Sequence, residues 1–141
     1  MSFFPMLLAI LAGAFTAIEA SINSQLGKYV TPGVATLHSL ITGMVFFLAV
    51  NIMNGNITKY QKIVTVSPIW LIGGFFGAFI IYLSSKSIPM LGISSTLILL
   101  LSGELVCGLL IDVLGFDQEI SVQKMLGLVL FLIGAVVFLQ E

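Results

Sequence analysis

Apolar residues run through the chain in long blocks that polar residues interrupt at only a few points. Five blocks read as membrane-crossing helices, at about 3–25, 34–52, 68–83, 89–114 and 124–139; a hydrocarbon core takes about 20 residues of helix. Pro5 suits the first turn of the first helix. The Thr31-Pro32-Gly33 turn leads into the second, which Asn51, Asn54, Gly55 and Asn56 bring to an end. A polar loop with Lys59 and Lys62 follows. Trp70 stands near the start of the third segment, where an indole favours the membrane–water interface. Lys86 and Pro89 punctuate the next connection, and residues 115–123 form the last loop. The expected fold class is all-α and integral to the membrane: a single transmembrane domain, 1–141, with little chain left for a separate soluble domain.

Composition strengthens that reading. Only 8% of the 141 residues are charged and 59% are hydrophobic, with a mean hydropathy of +1.20. A soluble domain carries roughly 25% charged residues; at a third of that density a chain cannot solvate its own surface. The lipid bilayer is therefore the first expected partner. Five basic groups, all lysines, stand against six acids, which leaves no basic patch for nucleic acid. Cys107 lies alone in an apolar run, with no second thiol and no metal-ligand set beside it. There is no His-Glu-x-x-His and no Ser/His pair at helical spacing, so neither an enzyme nor a cofactor or metal is expected. The first segment lacks the basic start of a signal peptide and is expected to stay as a helix.

Charge placement bears on topology. With five crossings, the loops on the N-terminal side (side A) hold Lys59, Lys62 and Lys124, and the opposite side (side B) holds Lys28 and Lys86. Lysine asymmetry sets orientation in a bilayer, and three against two is almost none. The expectation is insertion in both orientations, with the two forms pairing as an antiparallel homodimer. Inverted repeats are a common way to build a transporter, and one chain inserted both ways supplies both halves.

Candidate chemistry lies in the polar residues at membrane depth. On the first helix Thr16, Glu19 and Asn23 recur at intervals of three and four and so share a face. On the fourth, Glu104, Gly108 and Asp112 make a second stripe at four-residue steps, with Ser102 beside it. A carboxylate at the bilayer centre costs at least about 2.5 kcal/mol by insertion scales, so each must be paired, protonated or turned to a wet cavity. An acid poised that way can exchange a proton for a cationic substrate. Helix rise places Glu19 toward side B and Glu104 toward side A, roughly 10 Å apart in depth. A flipped copy would then bring its Glu19 to the depth of Glu104. The plainer readings are an interfacial head group for Glu19, a structural role for Asp112 and an interhelical amide bond for Asn23. His38 reads as an interfacial polar residue outside the core site.

Small residues mark contacts. Gly73 with Gly77, and Gly74 with Ala78, are four apart and allow close helix packing in lipid. Gly127 and Gly134 lie one heptad apart and offer a possible dimer contact.

The order EASINSQLG, WLIGGFFGAF and IPMLGISSTLILLLSGELVCGLLIDVLGF resembles the YdcZ-type family, small five-helix proteins of the drug/metabolite transporter superfamily. Its most specific elements are Pro89 to Gly92, Gly103 to Leu105 and Asp112 to Gly115. The resemblance covers nearly the whole chain. It implies a multi-pass protein of the bacterial inner membrane, found as single-domain dimers or fused inverted halves, with a transport role. Where that family pattern has glutamines, this chain has Glu19 and Glu104, which favours a proton-coupled or cation-binding variant. The small multidrug resistance family is similar in style, but a fifth helix argues against membership. The expected function is secondary transport of a small polar or cationic solute by alternating access. The alternatives are a passive cation-selective pore and a non-transporting membrane subunit.

Overall fold

A computed structural model of the chain describes residues 3–116 and 120–140. Every regular element among them is helical. The α-helices are α1 (Phe3–Tyr29), α2 (Pro32–Met53), α3 (Gly73–Leu91), α4 (Ile93–Phe116) and α5 (Val122–Phe138). Two 3-10 segments, Asn56–Thr65 and Pro68–Leu71, occupy the connection between α2 and α3. Four spans, Phe3–Tyr29, Pro32–Met53, Pro68–Leu91 and Ile93–Gly115, are long and apolar enough to cross a membrane. The fifth, Val122–Phe138, has 17 residues; at 1.5 Å per residue it extends about 26 Å against a hydrocarbon core of roughly 30 Å.

The chain divides into two compact units, Met1–Met90 and Leu91–Glu141. In the first, α1 and α2 form an antiparallel hairpin whose turn is written in the sequence. Thr31 caps α2, its Oγ1 accepting the Val34 N–H at 3.3 Å, and Pro32 takes the first helical position, where a missing N–H costs nothing. Gly27 faces the returning chain: a Cβ there would lie 3.4 Å from Pro32 Cα. The buried residues of this unit are Ala20, Asn23, Ser24, Ala35, Thr36, Ser84, Ser85 and Ile88. Nearly all are small or polar, as expected where lipid removes the hydrophobic drive between helices and close backbone approach replaces it. The large apolar side chains point outward, among them Phe15 and Phe46.

Several boundaries differ from the sequence expectation: α1 runs to Tyr29 rather than ending near 25, and α3 runs to Leu91 rather than ending near 83. The fourth helix does not start at Pro89. That proline lies inside α3, and the break falls at Gly92, whose φ of +82° is the left-handed conformation that ends helices. Pro89 removes one N–H from the last turns of α3, and the helix continues past it to Leu91. Lys86 consequently sits on a helix rather than in a loop. The polar loop with Lys59 and Lys62 is itself a 3-10 helix, Asn56–Thr65.

In the second unit α5 packs against α4. Ser121 caps α5 by accepting the Lys124 N–H at 3.2 Å. Of the expected last loop at 115–123, residues 117–119 lie outside the described residues.

Candidate functional site

The α1–α2 hairpin builds its polar site from its register. In an antiparallel pair, residues equally far from the turn come to equal depth. Asn23 lies seven residues before Val30 and Ser39 eight residues after Thr31, so they meet: Asn23 Nδ2 donates to Ser39 Oγ at 3.2 Å. One turn earlier on α1, Glu19 Oε1 accepts from Ser39 Oγ at 3.0 Å and from Asn23 Nδ2 at 3.4 Å. Three side chains thus close a ring of hydrogen bonds. Asn23 is 4% exposed and anchors the ring, while Glu19 is exposed toward a groove. Both ring bonds fall on Oε1, and Oε2 has no partner among the described residues.

The groove has a volume of about 780 Å³ and is lined by Phe15, Thr16, Glu19, Asn23, His38, Ser39 and Thr42, among others. No lysine lines it. A carboxylate held only by neutral donors can still accept a proton or a charge-assisted hydrogen bond at its free oxygen. Thr16 joins the lining, but its hydroxyl is committed to the Ala12 carbonyl at 3.0 Å. Ser39, absent from the sequence reading, is central. Thr36, Ser39 and Thr42 recur at intervals of three on α2, and that hydroxyl stripe was the available signal. His38 also faces this groove.

The second unit carries its own groove, about 410 Å³, between α4 and α5. Glu104, Gly108 and Asp112 line it from α4, and Lys124, Gly127 and Phe131 from α5. The four-residue stripe is therefore one wall of a cleft, and Lys124 supplies a cation on the other wall. Ser102 is not in the lining; two residues from Glu104, it turns away and donates to the Ile98 carbonyl at 2.7 Å. A Cβ added at Gly73, Gly74, Gly77, Gly127 or Gly134 would meet nothing within 4 Å, so these glycines stand open. Ala78 lines a small pocket of about 310 Å³ with Gly33, Thr36 and Tyr82, which sets α3 beside the first turns of α2. Among the described residues no group of three or more His, Cys, Asp or Glu side chains is placed to hold a metal ion.

The model of the family described as "Putative inner membrane exporter, YdcZ" matches residues 4–137. The chain belongs to the YdcZ family. No curated protein and no solved structure matches it. As a YdcZ-family protein it is a multi-pass protein of the inner membrane and a membrane transporter rather than an enzyme.

Proposed function

We propose that this YdcZ-family protein is a secondary transporter in which Glu19 is the principal binding group for a small polar or cationic solute and for the proton that competes with it. The observation that carries this reading is the hydrogen-bond ring of Glu19, Asn23 and Ser39, which presents one carboxylate oxygen to an open groove at membrane depth. Thr16 shapes that groove. The α4–α5 groove, with Glu104 and Asp112, is a second cation station, and Ser102 stays outside it. Five crossings, insertion in both orientations and an antiparallel homodimer complete the reading. The open glycines support it, Gly73, Gly74 and Gly77 on α3 and Gly127 and Gly134 on α5, because each offers a surface that a second copy can approach closely.

With α1 running to Tyr29 and α4 beginning at Ile93, the depths of Glu19 and Glu104 draw together. Measured from the midpoint of its own helix, Glu19 lies about 4.5 Å toward side B and Glu104 within about 1 Å of the centre. The expected stagger of roughly 10 Å shrinks to about 4 Å, against about 5 Å between Glu19 and the Glu104 of a flipped copy. Depth is compatible with pairing across an antiparallel interface but no longer selects it, so the antiparallel dimer rests on the lysine balance and the open glycines.

The test is uptake of radiolabelled tetraphenylphosphonium into proteoliposomes under an imposed proton gradient, for the natural chain, Glu19→Gln, Glu104→Gln and the double variant. Accumulation above the external concentration, lost in Glu19→Gln, is the expected result. Accumulation that survives in the double variant removes both glutamates from the site, and uptake that only equilibrates turns the reading to a pore. Labelling of a single terminal cysteine in a Cys107→Ala background, from both faces of the membrane, tests dual insertion.

A further inference from the structure

The 3-10 segment Asn56–Thr65 is amphipathic at the period that its geometry dictates. In a 3-10 helix side chains three apart eclipse. One stripe is Asn56, Lys59, Lys62 and Thr65; the next is Ile57, Tyr60 and Ile63, continued by Val66 just past the helix. The segment packs back on the end of α2, and together they enclose a groove of about 720 Å³. Phe47, Leu48, Ile57 and Ile63 line it with apolar side chains and Lys59 with an ammonium, while Lys62, next on the lysine stripe, lies outside the lining.

Its lysines have no acid to pair with in the neighbouring sequence. Between Glu19 and Glu104 the chain holds Lys28, Lys59, Lys62 and Lys86 and not one aspartate or glutamate. Lys59 Nζ donates to Asn56 Oδ1 at 2.7 Å, which holds the ammonium at the rim, and an ammonium has three N–H donors in all. An apolar trough with an ammonium at its mouth, at the end of a membrane-crossing helix, matches one ligand chemistry. That ligand has an acyl chain for the trough and an anionic phosphodiester for the lysines.

We propose that the groove between α2 and the 3-10 segment Asn56–Thr65 is a binding site for an anionic phospholipid, with Lys59 and Lys62 holding the headgroup phosphate and Phe47, Leu48, Ile57 and Ile63 the acyl chain. The site shares no lining residue with the grooves that hold Glu19 and Glu104. It ties the α2–α3 connection to the membrane surface, where juxtamembrane lysines are drawn to anionic lipid.

The experiment places the full-length protein in nanodiscs of phosphatidylcholine with a minority of phosphatidylglycerol of the same acyl chains. Lipid retained after extraction is counted by native mass spectrometry. Phosphatidylglycerol is expected to be enriched over phosphatidylcholine. Each lysine is expected to contribute roughly fivefold, so Lys59→Gln with Lys62→Gln lowers the enrichment about 30-fold. Arginine at both positions restores it, and Lys28→Gln with Lys86→Gln, which removes equal charge elsewhere, leaves it unchanged. Enrichment that persists in the Lys59/Lys62 glutamine variant overturns the proposal, as does an equal loss in the Lys28/Lys86 variant. Complete displacement of the lipid by excess inorganic phosphate also overturns it, by reducing the site to an anion site. Should the glutamine variant not fold, Leu48→Trp decides: it keeps both lysines, fills the trough and is expected to abolish the enrichment, and unchanged enrichment there refutes the site.

Discussion

The α1–α2 groove and the α4–α5 groove each carry a glutamate near the middle of a long helix, yet they hold it in different ways. Glu19 is tethered by two neutral side chains, one of them the buried Asn23, and the bonds all run within a hairpin with a two-residue turn. Glu104 shares its cleft with another carboxylate and a lysine, and its groove is the smaller of the two, about 410 Å³ against 780 Å³. The first arrangement fixes the direction of one carboxylate and leaves its charge uncompensated by any cation in the groove. The second sets a lysine in the cleft with its two carboxylates and fixes direction less. Preorganised donors favour selective binding, whereas an internal cation sets up competition with any cation that arrives from outside.

That difference can be broken most forcefully at Glu19. Hydrogen bonds to a charged group are worth about 1.5–3 kcal/mol each, so Glu19→Gln is expected to lower tetraphenylphosphonium uptake by about 10- to 100-fold in proteoliposomes. Glu104→Gln should cost less, because Asp112 remains in the same cleft; an equal loss in both variants would erase the distinction between the grooves. Asn23→Ala comes next. It strips the ring of its buried anchor and leaves Ser39 and Glu19 to each other, at about 1–3 kcal/mol for the broken bonds. It should lower both the thermal midpoint in detergent and the uptake, and a midpoint shift with uptake intact would make the ring structural only. Ser39→Ala removes the shorter of the two bonds to Glu19 and keeps Asn23, so a loss of roughly two- to tenfold in uptake is expected, with little change in midpoint.

How much of this was legible in the sequence depends on whether a feature is local to one helix. Glu19 and Asn23 are four apart on α1, and periodicity alone puts them on one face. Their partner Ser39 is on another helix, and finding it required the antiparallel register that the turn at 30–31 sets. Glu104 and Asp112 were equally readable as a stripe, but Lys124 entered only as a charge on one side of the membrane. Its place in their cleft is a matter of how α5 packs on α4. Closeness in sequence sets Ser102 beside Glu104, although two residues along a helix point it well away. The α3–α4 boundary was misplaced because proline and glycine both punctuate a chain. Near a helix end a proline is tolerated, whereas a glycine with positive φ stops the helix outright. The segment from Asn56 to Thr65 reads as a polar loop because its repeat is three, not the 3.6 of an α-helix or the 2 of a strand.

The smallest effect is expected at Lys124, and it is the sharpest test of the comparison. Lys124 is exposed and Asp112 half-buried, a setting in which a charge pair contributes only about 0.2–1 kcal/mol and weakens with salt. Lys124→Met should therefore change uptake by less than about fivefold. The direction is informative: removing an internal competitor should strengthen tetraphenylphosphonium binding to the Glu104–Asp112 cleft, most visibly at low ionic strength, where screening is weakest. In a Glu19→Gln background, where the other groove is silenced, that gain should still appear in equilibrium binding by the detergent-solubilised protein. If Lys124→Met instead abolishes uptake as thoroughly as Glu19→Gln, the α4–α5 cleft is the principal station and the ranking of the two grooves is reversed.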